Sequence, residues 1–215
     1  MLEPSGLYYP NRLARAFFIA IEEVMGQTGL KILLETAGLH HYAREWPQNT
    51  LERRFDFAEM AAIHESLEAM YGVRGGRGLA LKIGRAAFAN GFREFGVLRG
   101  LGDPAFRALP LPLRVDYGLR ALTTVLNNFS DQTSSIETEG KDLLFISEVC
   151  PMAWGRNSDK PVCHAMSGIL QECLRWATNG HEFYVREIAC RASGADSCVF
   201  RINKQAIGEV SRSGL

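Results

Sequence analysis

The hydrophobic pattern changes period near residue 130, and that switch restricts most strongly the folds open to this chain. Upstream, apolar residues recur at three- and four-residue spacing, as in helices that bury one face. Leu13, Phe17, Ala20, Ile21 and Val24 share a face over Asn11 to Met25, and Gly26 suits the end of that helix. A short helix is predicted from Leu30 to Ala37, and the Pro- and Asn-bearing stretch Glu45 to Thr50 reads as a loop. Asp56 then caps a helix to Tyr71, with Met60, Ile63, Leu67 and Met70 on one side and Gly72 as its stop. Leu79 to Phe95 is helical again. Its Gly84 and Gly91 cost helix propensity unless another backbone comes close. After the prolines at 104, 110 and 112, Leu113 to Phe129 forms another helix.

Downstream the period falls to two. Thr133 to Glu139 and Leu143 to Val149 read as strands around a Gly140-Lys141 turn, and a loop from Cys150 to Lys160 follows. Pro161 opens a helix that closes near Gly180. Strands over about Glu182 to Cys190 and Ser197 to Asn203 flank a turn over Ala192 to Asp196. The expectation is an α+β protein with helices packed on a four-stranded antiparallel sheet. Residues 1–130 form the helical part of one ligand-binding domain, 131–205 an αβ unit, and 206–215 a frayed tail.

Composition narrows the function classes. Lysine plus arginine and aspartate plus glutamate number 24 each, so no net field draws the chain to nucleic acid or an anionic membrane. The first residues lack a signal pattern and no apolar run suits a membrane span, which leads us to expect a cytoplasmic protein. All five cysteines (150, 163, 173, 190 and 198) fall in the last third. An odd count in that setting favours metal or catalysis over a disulfide framework.

Glu187 lies three residues before Cys190 and Cys198 eight after it, and the turn between the cysteines can fold them together. Cys163 stands at a helix start, where free N–H groups favour a thiolate. Three thiolates and a carboxylate are a donor set Zn²⁺ accepts, and four protein ligands make a closed, structural site. One objection is geometric: on a regular strand residues 187 and 190 face opposite sides, so the site needs a bulge or a strand ending by Ala189. Spacing leaves alternatives open. The cysteines can be buried apolar residues, Cys190 and Cys198 can pair as a disulfide, and Cys150 or His164 can replace Glu187. Cys173 sits ten residues along the helix from Cys163, about 15 Å away, and is read as core.

Three separated segments, P-V-C-H-A-M-S-G-I-L, V-R-E-I-A-C and S-G-A-D-S-C-V-F, resemble the 4-vinyl reductase domain over about Leu143 to Ile202. That domain occurs in a bacteriochlorophyll-biosynthesis protein, in stand-alone hydrocarbon-binding proteins and in phenol- and toluene-responsive activators. The resemblance implies zinc on Cys163, Glu187, Cys190 and Cys198, because the matching set binds zinc in the aromatic sensors. It also implies a ligand-binding fold shared with a vesicle-tethering subunit, and a function in binding a hydrocarbon, aromatic or porphyrin-like molecule as sensor or carrier. The alternatives are a reductase of a tetrapyrrole vinyl group and a ligand-independent dimeric scaffold. This sequence contains no ATPase or DNA-binding domain, so no nucleic-acid contact is expected of it.

Phe88, Phe92, Phe95, Phe145 and Trp154 are candidates to line an apolar pocket, with core packing as the plain alternative. The run Arg74-Gly75-Gly76-Arg77-Gly78 can cradle a phosphate but lacks the P-loop lysine and hydroxyl, and otherwise reads as a loop joining helices. His40, His41 and His64 are weak metal or haem candidates. A homodimer is expected, since Phe17, Phe18, Ile19 and Ile21 ring the first helix and ask for burial on several sides.

Overall fold

The computed structural model describes residues 3–208. Two long helices frame it, α1 (Asn11–Thr36) and α2 (Phe57–Asn90), each bent at a glycine. Gly26 has φ 74° and ψ 167°, and Gly72 φ 69° and ψ 165°, backbone that only glycine adopts without strain. The stops read from sequence are therefore real breaks, yet each pair of predicted helices forms two arms of one bent helix. Beyond Gly72 the glycine-rich run 74–78 is helical, which removes the expected loop. A Cβ on Gly76 would lie 2.8 Å from the Glu68 Cα, so this glycine lets the second arm pack against the first.

Asp56 caps α2 as expected. Its carboxylate accepts the Ala58 N–H at 2.7 Å, while Glu59 accepts the Asp56 N–H at 3.0 Å, a complete capping box. A small antiparallel pair, β1 (Tyr8–Pro10) with β2 (Arg53–Asp56), brings the starts of α1 and α2 together. Strands of three and four residues leave no periodic trace, and the sequence did not reveal them. Two single-turn helices, α3 (Gly96–Arg99) and α4 (Pro104–Arg107), lead into α5 (Leu111–Phe129).

The second half has the expected order of elements. Strands β3 (Ser134–Glu139) and β4 (Asp142–Ser147) precede helix α6 (His164–Ala177), and β5 (Val185–Ala189) and β6 (Cys198–Asn203) follow it. They form a four-stranded antiparallel sheet in the order β3-β4-β6-β5. Leu143, Phe145 and Ser147 of β4 and Cys198, Phe200 and Ile202 of β6 are buried at alternate positions, so one sheet face belongs to the core.

Helix α6 packs most extensively on α2, at contact distances a side chain would prevent. A Cβ on Gly84 would collide with the Ala165 carbonyl, and one on Gly168 with the Leu81 carbonyl. The close backbone approach expected of Gly84 is therefore present, and Gly168 is its counterpart on α6. Phe17, Phe18 and Ile21 are fully buried within this chain and Ile19 half so. The all-round apolar face of α1 is satisfied by its own fold, so it gives no reason for a dimer. At the other end Ala206 is buried and the Ile207 N–H donates to the Glu182 carbonyl at 2.8 Å. The remainder of the expected tail, 209–215, lies outside the described residues.

Candidate metal centre

The thiols meet where α6 begins, β5 ends and β6 starts. Cys163 precedes the first helical residue, His164, with φ −85° and ψ 46°; the helix starts three residues later than Pro161 suggested. Cys190 follows the end of β5, and the chain turns through a 3-10 turn, Arg191–Ser193, before Cys198 opens β6. The turn closes on Gly194 in the left-handed region, φ 89°. The parity objection is answered in both ways at once. The register of β5 against β6 shifts between Glu187 and Ala189, and β5 stops at Ala189. Glu187 and Cys190 can therefore face the same centre.

One ligand atom each from Cys163, Glu187, Cys190 and Cys198 lies within 4.8 Å of the other three. The sulfurs of 163 and 190 are 3.9 Å apart, those of 163 and 198 3.6 Å, and those of 190 and 198 3.9 Å. All five cysteines are free thiols, so the alternative of a Cys190–Cys198 disulfide is not realised. The Glu187 carboxylate is 9% exposed. Its Oε2 accepts the Cys163 N–H at 2.9 Å, whereas its Oε1 is buried with no partner. The Arg191 N–H donates to the Cys198 sulfur at 3.4 Å.

Charge is hard to hold here without a cation. Burial, and then the neighbouring Cys190, push the Glu187 carboxyl up to about 8. Burial drives the Cys163 thiol well above its usual range. Four acidic groups in one dry pocket cannot all ionise side by side, and a bound divalent cation would reverse that preference.

The other candidates lie elsewhere or touch only the edge. Cys150 is buried, and its sulfur is 3.2 Å from that of Cys163. His164 is half-buried at the head of α6, outside the four-atom group. Cys173 donates its thiol to the Gly118 carbonyl at 3.4 Å, away from the cluster. His40 and His41 lie exposed in a 3-10 turn. His64 is buried on α2, its ring edge-on to Phe17, with both ring nitrogens unpartnered. No local pattern marks that histidine, because a lone histidine on an apolar helical face looks like any other packing residue.

Of the aromatic residues expected around a ligand, Phe88, Phe92 and Phe145 are fully buried and Phe95 nearly so. They pack ring against ring, Phe92 on Phe17, Phe95 on Phe129 and Phe145 on Phe200. Trp154 instead lines a surface groove with Glu3, Pro4, Ala153, Gly155, Arg156 and Arg191. The five do not converge on one pocket.

Comparison with known proteins agrees with this architecture. The 4-vinyl reductase domain family matches residues 145–204. No curated protein sequence matches the chain. Among solved structures, an Fe(II) unliganded H-NOX protein from K. algicida aligns with a TM-score of 0.56 at 16% identity, covering 91% of this chain and 96% of that one. An H-NOX protein from S. oneidensis in the Fe(II)NO ligation state gives 0.54 at 14% identity, over 89% and 98%. A further H-NOX structure, from work on heme distortion in that family, gives 0.53 at 14% identity, over 93% and 97%. At such identities the likeness is one of fold alone. Residues 145–204, which hold the cysteine and glutamate cluster within an H-NOX-like α+β fold, are a 4-vinyl reductase domain.

Proposed function

We propose that this protein binds a hydrophobic small molecule as a sensor or carrier, and that a structural zinc ion on Cys163, Glu187, Cys190 and Cys198 organises its 4-vinyl reductase domain. The observation that carries the metal reading is the buried, unpartnered Oε1 of Glu187 beside three sulfurs 3.6–3.9 Å apart. Zinc–sulfur bonds of about 2.3 Å at tetrahedral angles separate two sulfurs by about 3.8 Å. The donors therefore already have the spacing a zinc ion imposes, and a cation would satisfy the orphaned oxygen. Four protein ligands leave no open position, so the ion would neither activate water nor polarise a substrate. It would tie the start of α6 to the β5–β6 turn.

The small-molecule part rests on the family match over residues 145–204 and on the H-NOX-like fold. Haem itself does not fit. His64 is the one histidine among the described residues that is buried, and it stands within packed core side chains against Phe17. A smaller apolar ligand needs less rearrangement than a macrocycle.

Elemental analysis and native mass spectrometry of protein purified under reducing conditions test both halves. The expected result is one zinc per chain, lost in the Cys190→Ser/Cys198→Ser double variant, with a copurified or added apolar ligand retained by the zinc-loaded form. Absence of zinc from freshly purified protein, or full retention in the double variant, refutes the metal reading. Failure to bind any of a panel of aromatic, aliphatic and porphyrin ligands refutes the binding reading.

A further inference from the structure

Cys150 stands outside the four-atom group yet presses against it. It follows β4 in the loop that begins with the 3-10 turn Pro151–Ala153, and it is buried. Its Sγ lies 3.2 Å from that of Cys163, nearer than any two sulfurs of the metal set are to each other. A thiol at that distance is too close to be an indifferent neighbour and too far to be bonded. Closing to a disulfide of about 2.05 Å takes a movement of about 1 Å, within reach of side-chain rotation and a loop backbone.

We propose that Cys150 and Cys163 form an oxidisable dithiol that couples metal retention to hydroperoxide. This inference rests on the reading of Cys163 as a zinc ligand. Cys150 would be the free partner and Cys163 the bound one, so joining them removes one of four donors. The step balances as Cys150–SH plus Cys163–S⁻ plus H₂O₂ giving the disulfide, H₂O and OH⁻. Each sulfur gives up one electron, the peroxide O–O bond takes both, and the thiol proton leaves in water. The centre is then left with two thiolates and a carboxylate, too few to hold zinc in a closed site.

A small neutral oxidant has a route to the pair. The groove lined by Ala153, Trp154, Gly155, Arg156 and Arg191 opens beside the cluster. Arg191 directly follows Cys190. Ala153 directly follows Met152, whose sulfur is 3.9 Å from that of Cys150. Cys173, held against the Gly118 carbonyl on the far part of α6, is an internal control that should stay reduced.

The test treats reduced, metal-assayed protein with hydrogen peroxide, following released zinc with a chromogenic chelator and mapping disulfides by peptide mass after thiol blocking. The expected result is a Cys150–Cys163 link that forms in step with zinc release and reverses with dithiothreitol and added zinc. Cys150→Ala should keep one zinc per chain when reduced and release it at least about tenfold more slowly under the same peroxide. Cys150→Ser serves as a second variant should alanine misfold. Zinc release from Cys150→Ala at the wild-type rate, a Cys190–Cys198 link instead, or loss of zinc from both reduced Cys150 variants would overturn the inference. If reduced wild-type protein holds no zinc but the Cys150–Cys163 link still forms, the metal reading fails and the dithiol stands.

Discussion

His64 carries two buried ring nitrogens that find no partner, and burial pushes its pKa down from 6.5 to about 3. Arg156 and His164 reinforce that direction by adding positive charge nearby. The native state therefore holds His64 neutral where an unfolded chain would take up a proton. Its contribution to stability is present above pH 6.5 and is lost as the pH falls toward 3, by about 1.4 kcal/mol per pH unit once well below 6.5. His64→Leu removes both the proton uptake and the orphaned nitrogens. We expect it to be as stable as wild type or about 1 kcal/mol more so at pH 7, with a flatter loss between about pH 6 and 4, measured by urea unfolding across that range. At the metal centre, Glu187→Gln keeps the side chain's size but withdraws the anionic oxygen. Changes to residues that merely support ligands already weaken metal sites about 10–100-fold, so zinc affinity measured by chelator competition should fall by at least about tenfold.

At the scale of elements, the α2–α6 contact decides where Cys163 lies. The carbonyls of Ala165 and Leu81 occupy the space that side chains at Gly84 and Gly168 would need. Overpacking of this kind costs about 1–3 kcal/mol, so Gly84→Ala and Gly168→Ala should each lower Tm by several degrees and loosen zinc. Gly78, on the same helix with open space around its missing Cβ, is the control. Gly78→Ala should leave Tm unchanged or raise it slightly. Calorimetry that ranks the three alike would show that the close approach is not what holds α6. The heptad spacing of Gly84 and Gly91 exposed half of this contact in the sequence. Gly168 was invisible there, because a single glycine in a helix does not say which partner it faces.

For the whole molecule, zinc would join the last helix to the last hairpin, while the helical half rests on its own aromatic core. Chelation should therefore lower Tm by several degrees without abolishing the fold. Loss of hydrogen-exchange protection is expected to concentrate in α6 and the β5–β6 turn and to spare the α1–α2 pair. Uniform loss of protection would mean that the metal supports the entire fold. No helix among the described residues is long and apolar enough to cross a membrane.

Periodicity alone determined the class of fold, because a change from a repeat near 3.6 to a repeat of two can be satisfied only by helices followed by strands. Glycine chemistry fixed the breaks at Gly26 and Gly72, and cysteine placement marked the region of the metal centre. Tertiary structure decided the rest. A shift in register between Glu187 and Ala189 turns a carboxylate toward three sulfurs, and register depends on the neighbouring strand. The contact of Cys150 with Cys163 spans 13 residues of irregular loop, and the isolation of His64 depends on every element packed around it. Local spacing shows which residues can share an element; only the packed chain shows which of them are left touching and which are left without a partner.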